Sequence, residues 1–218
     1  MKVSLYSEAT VPTVHGEFLI SVYHDDTSAD ESVLISLNLA DSSDPFVRVH
    51  SECFTGEVLG SLKCDCRDQL EMALAEIQRR GSGAVIYLRQ EGRGIGLGNK
   101  IKAYALQNQG IDTIKANHLI GFDTDLRSFE VAAKILQDRG VDRVILNTNN
   151  PEKISAISGA GIEVVERLPS LSPVNEHNEG YLKTKMLELG HRLENLFSSS
   201  VSGEDVAKPK SSEDDGSK

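Results

Sequence analysis

AVIYLRQEGRGIGLGNKIKAYALQ, residues 84–107, decides how the rest of the chain is read. It opens on AVIYL, an unbroken apolar run of the kind a strand shows when both of its faces are buried. QEGRGIGLG follows, a nine-residue loop with four glycines and one arginine. A helical pattern then carries Ile101, Ala105 and Leu106 toward Gly110. A buried strand that passes through a glycine loop into a helix is the unit of a parallel or mixed sheet.

The same alternation continues on both sides. Upstream, Leu70, Leu74 and Ile77 fall at i, i+4, i+7, and Gly81 stands where a helix C-cap belongs. Before that helix, FVRVHSEC after Pro45 reads as a strand, as do EFLISVY and SVLISLNL, which are separated by HDDTSADE. Downstream, IKANHLIGFDTD reads as irregular, and a helix is expected over residues 126–139, stopped by Gly140. RVILNT is a strand that leads to Asn150 as a helix N-cap and Pro151 at the first helical position. A short helix, the strand IEVVERL and a last helix over residues 178–196 complete the pattern. The expectation is an α/β fold (α+β mixed): a mixed, partly parallel sheet flanked by helices, with an antiparallel N-terminal extension. One domain over residues 1–197 is expected, followed by a disordered acidic tail over residues 198–218, rich in Ser and charge.

The chain has 218 residues, 39% of them hydrophobic, which is enough for a substantial core. No run approaches the roughly 18 apolar residues of a membrane span. The N-terminus lacks the charged and apolar regions of a secretory signal. With that and an odd cysteine count, a cytoplasmic protein is expected. The net charge of −10 argues against general nucleic-acid binding. That charge is uneven: residues 1–45 carry eight acids and one Lys, whereas residues 89–102 carry four basic residues and one acid. An anionic small molecule fits the second stretch.

All three cysteines lie in CFTGEVLGSLKCDC, residues 53–66. In an extended segment Cys64 and Cys66 would face the same way, and Gly56 and Gly60 would let the chain fold back to bring Cys53 to them. Three soft donors suit zinc and leave a fourth position for water or substrate. Two other readings compete: a disulfide plus one free thiol, and a structural site completed by His50.

In the glycine loop, backbone N–H groups and a helix N-terminus suit an anion, onto which Arg93 could fork. Lys100 and Lys102, just inside the following helix, read as solvated charges, as does Arg48. Asp125 reads equally well as an N-cap with Arg127 on the surface. Thr148 and Lys153 bracket a strand-to-helix turn, where open α/β sheets place ligands. Tyr104 is either a core aromatic or an acid/base phenol.

Taken together, RVHSEC, SLKCDC, YLRQEGRGIGL, KIKAYALQ, GFDTDLR and TNNPEK resemble GTP cyclohydrolase II, in order, over about residues 10–193. Many members of that family follow a dihydroxybutanone phosphate synthase domain. Here about 45 residues precede the motifs, which resembles the single-activity form. The resemblance implies a zinc enzyme that hydrolyses GTP at the start of riboflavin biosynthesis, with release of formate and pyrophosphate. The remaining product is a diamino-pyrimidinone ribosyl phosphate.

It implies Cys53, Cys64 and Cys66 as zinc ligands. Arg48, Val49, His50, Ser51, Glu52, Gln69, Glu91, Gly92, Arg93, Thr113, Thr148 and Lys153 are implied to hold the nucleotide. Asp125 matches the family's proton acceptor, Arg127 its nucleophile, and Tyr104 a tyrosine that assists ring opening. A guanidinium is almost always protonated, so stabilisation of phosphate charge is a second role open to Arg127. Magnesium with the triphosphate and a homodimer are also implied. Asn147 departs from the pattern, since an apolar residue is expected there. Ring opening with the formyl group retained is the alternative reaction, and a nucleotide-binding protein with structural zinc the alternative of another class.

Overall fold

The computed structural model describes residues 1–111, 113–122 and 125–193, so the expected tail over residues 198–218 lies outside the described residues. Among the described residues, seven strands form one sheet: β1 (Val3–Thr13), β2 (Gly16–Asp25), β3 (Ser32–Leu37), β4 (Phe46–Ser51), β5 (Gly83–Leu88), β6 (Arg143–Asn147) and β7 (Glu163–Leu168). Their order is β1-β2-β3-β5-β4-β6-β7. The pairs β1–β2, β2–β3 and β3–β5 are antiparallel. The pairs β5–β4, β4–β6 and β6–β7 are parallel. The expected mixed sheet with an antiparallel N-terminal extension is what the chain forms.

The helices divide between the two faces. α2 (Cys66–Arg80) sets Ala73 and Ile77 against Phe18, Phe46 and Val85. α5 (Glu130–Asp138) and α6 (Pro151–Gly159) cover the other face, where Val131, Ile135, Leu136 and Ile157 meet Leu34, Val47, Val49, Ile86 and Leu146. α2 stops at Gly81, left-handed at φ 74°, a conformation that carries little penalty only for glycine. α6 starts as its sequence dictates: Asn150 Oδ1 accepts from Glu152 N at 2.9 Å, and Pro151 follows.

Five local expectations are corrected. Asp65 is not extended, at φ −109° and ψ 14°, and Cys66 already opens α2. The stretch read as irregular contains a helix, α4 (Thr113–Leu119). The helix expected over residues 126–139 begins only at Glu130. Leu126 N is held by Arg93 O at 3.0 Å, and both Asp125 oxygens are held by Arg127, which keeps that segment out of the helix. In α3 (Gly96–Gln107), Ala103 is the buried residue, whereas Ile101 is exposed. The last helix, α7 (Glu179–Leu189), ends at the left-handed Gly190, earlier than expected.

β4, β5, β6 and β7 all run the same way, so the segments after Ser51, Leu88, Asn147 and Leu168 emerge at one edge of the sheet. Open α/β sheets bind their ligands at that edge.

Candidate active site

Just past β4, Cys53 caps the short helix α1 (Phe54–Glu57), and Cys66 begins α2. The Sγ atoms of Cys53, Cys64 and Cys66 lie within 4.8 Å of one another. Cys53 and Cys64 are 3.6 Å apart, and all three cysteines are free. Gly56 makes this possible through its lack of a side chain. A Cβ there would stand 2.8 Å from Cys64 Sγ and 3.2 Å from Cys53 Sγ.

The thiols share protons. Hydrogen bonds from Cys64 and Cys66, and then the Lys100 ammonium, push Cys53 far below the usual thiol range despite its burial. Hydrogen bonding to Cys53 pushes Cys64 and Cys66 up. Among the described residues, no histidine or carboxylate joins this group. Three soft donors with no fourth protein ligand fit a metal that keeps one position open.

His50 is not a fourth ligand. Arg48 Nε donates to its Nδ1 at 3.2 Å, so the neutral ring carries its proton on Nε2, which donates to Glu57 Oε1 at 2.8 Å. Burial and the Arg48 charge push its pKa well down. Glu57 also accepts from Cys53 N (2.9 Å) and Tyr87 OH (2.6 Å), which fixes the start of α1.

A cleft of about 340 Å³ opens over the thiols. The glycine loop forms one wall. Gly92 and Arg93 are both left-handed at φ 63°, and a Cβ on Gly94 would press on Leu126 at 3.2 Å. Glu91 accepts from Phe54 N (2.6 Å), Gly92 N (2.7 Å) and Lys100 Nζ (2.8 Å). Lys100 Nζ also reaches Cys53 Sγ at 3.1 Å. Lys100 is therefore a part of the site that its sequence position disguised as a surface charge. Tyr104 lines the cleft, with Lys63 Nζ 4.9 Å from its ring centre. Burial raises its pKa.

A narrower annex of about 60 Å³ adjoins the cleft, and Ser51, Cys66, Arg93, Arg127 and Tyr181 line both. Arg48, His50, Gln69, Thr148 and Lys153 lie in the annex. Arg48 is buried at 4% exposure, where burial lowers its pKa to about 10. Its donors go to His50, Gln69, Ser170 and Asn147. Asn147 is polar because it meets Arg48: its Oδ1 accepts from Nη1 at 2.9 Å. Lys153 Nζ donates to Val49 O at 2.7 Å. Burial and then Arg127, Arg48 and Lys185 push its pKa well down.

Asp125 and Arg127 form a forked pair. Burial pulls the Asp125 carboxyl up, but the hydrogen bonds and charge of Arg127 outweigh it and leave the pKa lowered.

Two of the implied positions stand apart. Val49 points its side chain into the core and offers the annex only the carbonyl that Lys153 uses. Thr113 opens α4, and its side chain lies outside the described residues. Glu52 lines the cleft with its carboxylate 3.8 Å from Arg89. Sequence reasoning missed Tyr181, Lys185 and His191. The cue was slight: all three lie beyond TNNPEK, the last of the stretches that carry the family resemblance.

The family model for GTP cyclohydrolase II matches residues 4–169. A protein named GTP cyclohydrolase-2 from Shewanella sediminis (strain HAW-EB3) is 45% identical over 194 residues, covering 88% of this chain and 95% of its own. The riboflavin biosynthesis protein RibBA of Bacillus cereus (strain AH187) is 48% identical over 187 residues, covering 85% of this chain and 47% of its own. The chain thus spans about half the length of the RibBA relatives it matches. A crystal structure of RibBX, a two-domain 3,4-dihydroxy-2-butanone 4-phosphate synthase from A. baumannii, aligns at a TM-score of 0.44 and 20% identity over 79% of this chain and 41% of that one.

Proposed function

Because this chain belongs to the GTP cyclohydrolase II family, we propose that it hydrolyses GTP, releasing formate and pyrophosphate, as the first step of riboflavin biosynthesis. The observation that carries this reading is the joining of a three-thiol cluster and a cation-lined annex through shared walls. The base would lie over the thiols and the phosphates in the annex. Cys53, Cys64 and Cys66 would hold zinc. Zinc bound there would supply hydroxide by acidifying a water, less strongly beside three thiolates than beside three imidazoles.

The remaining work falls to side chains. Lys100 offsets one thiolate's charge, which keeps the cluster from being fully anionic. Arg93, Arg127 and Lys153 would hold the phosphates and meet the charge that develops as pyrophosphate leaves. The Arg127 guanidinium is held protonated: burial lowers its pKa, and Asp125 outweighs that and raises it. This supports charge stabilisation as its role. Asp125 aims the Arg127 fork and stands ready as proton acceptor once phosphate competes for that fork. Tyr104, which lines the cleft and whose pKa burial raises, would donate to a ring nitrogen. Magnesium would accompany the triphosphate. A homodimer is the assembly we assign, supported by exposed Val58, Leu59, Leu62 and Ile101. Among the described residues, no helix is long and apolar enough to cross a membrane.

The test is an end-point assay of the zinc-loaded protein with GTP and magnesium, in which formate and pyrophosphate are measured separately. Equal amounts of each are expected. Pyrophosphate without formate would favour the formamidopyrimidine product, and neither product would sink the reaction.

A further inference from the structure

The family model ends at residue 169, yet the chain beyond it returns to the annex. α7 is tied down at two points. Lys185 Nζ reaches Asp65 Oδ1 at 3.0 Å, and Asp65 is 1% exposed between two of the thiol-bearing residues. Just past the helix, Arg192 N donates to Asn149 O at 3.0 Å, on the turn that follows β6. The Tyr181 ring has Lys185 Nζ 4.4 Å and Arg93 Cζ 5.7 Å from its centre.

Buried polar atoms nearly always have partners. Among the described residues five side-chain atoms lack them, and three of these belong to the annex: Arg93 Nη1, Arg93 Nη2 and His191 Nε2. Both side chains line the annex. Five basic side chains border that space (Arg48, Arg93, Arg127, Lys153 and Lys185), and no carboxylate is among its lining residues. The space is too small for a purine and suits a tetrahedral oxyanion. An anion that accepts hydrogen bonds from both side chains would supply the missing partner.

We propose that His191, delivered by α7, binds a phosphoryl oxygen of the substrate together with Arg93, which makes the segment beyond residue 169 part of the substrate site. This rests on the GTP-hydrolysing reading above. The imidazole meets the ligand as a hydrogen-bond donor, not as a cation. Burial, and then the charges of Lys185, Arg127, Lys153 and Arg93, lower its pKa to about 3. Its position is set by the Lys185–Asp65 pair, so the wall of the anion site and the thiol-bearing loop are fastened to each other.

The test is calorimetric titration of the full zinc-loaded chain with inorganic tripolyphosphate and, separately, with guanosine. His191→Ala is expected to weaken tripolyphosphate about tenfold, as loss of one hydrogen bond to a charged group does, and to leave guanosine binding unchanged. His191→Gln, which keeps a donor near Nε2, is expected to recover most of the loss. Unchanged tripolyphosphate affinity in His191→Ala would overturn the proposal. So would loss of guanosine binding instead, or a Gln variant as weak as Ala.

If His191→Ala does not fold, the His191 ring nitrogen resonances of the unaltered protein are followed by NMR during the same titration. A shift on adding tripolyphosphate supports the contact, and no shift overturns it. Tripolyphosphate binding that depends on His191 in a protein that releases no formate would support the anion site and overturn the reaction. Formate release with an unchanged KM for GTP in His191→Ala would overturn the anion site alone.

Discussion

The two halves of the sheet follow different rules. β3, in the antiparallel half, alternates strictly between buried and half-buried residues, and β1 leaves ten of its eleven residues exposed. β4 and β5, in the parallel half, are buried almost throughout, including the charged Arg48 and the polar His50. An antiparallel edge can face water on one side, whereas a parallel strand is covered on both faces. Polar groups kept inside the parallel half must therefore pair with one another, as Arg48 does with His50, Gln69, Asn147 and Ser170. Chemistry is concentrated in the half where an unpaired group is expensive, and the antiparallel half serves as its support.

That division can be broken by mutation. Cys64→Ser is expected to abolish metal binding and formate release while the thermal transition persists, because neither core cluster contains a cysteine. Co-loss of fold and metal, read by calorimetry and metal analysis, would make the cluster structural. In the supporting half, Leu34→Ala on β3 empties a fully buried position. It should cost about 2–5 kcal/mol in denaturant unfolding and leave metal content per folded molecule unchanged.

Gly56→Ala tests how tightly the cluster is built. The added Cβ meets two sulfurs, so metal affinity measured by chelator competition should fall about tenfold to a hundredfold, in the range of changes that reposition metal ligands.

The smallest effect concerns pH. Tyr23 OH donates to Asp138 Oδ2 at 2.8 Å, and burial, then Asp138, raises its pKa to about 12. A folded pKa above the unfolded value near 10 gives stability that is full below pH 10 and lost as pH climbs through about 12. Tyr23→Phe should flatten that alkaline decline, as measured by urea midpoints across the range. A decline of the same steepness in the variant would assign it to other groups.

Reading the sequence succeeded where the physics is local. AVIYL, the 3.6-residue pattern before Gly81, and Asn150 before Pro151 each specify an element through nearby residues alone. It failed where a distant partner decides. Residues 126–129 carry a helical pattern, but Arg93, more than thirty positions earlier, takes Leu126 N. Ile101 reads as core, yet it is exposed because nothing among the described residues covers it. Lys100 reads as solvated, since only the fold brings Cys53 and Glu91 to its ammonium.

For the site the same line can be drawn. Side-chain chemistry is a property of residue type, so three cysteines in fourteen residues announced a thiol cluster. Whether those thiols converge, what offsets their charge, and which of many arginines and lysines lose their solvent depend on contacts that span up to 122 positions, such as Arg48 with Ser170. The sequence by itself determined most of the element types, the donor set and the polarity of the loops. Only the tertiary structure decided that Lys100 touches a sulfur, that Asn147 is the partner of Arg48, and that His191 and Arg93 line one annex. Burial, which makes each of those contacts strong, exists only once the sheet and helices have closed around them.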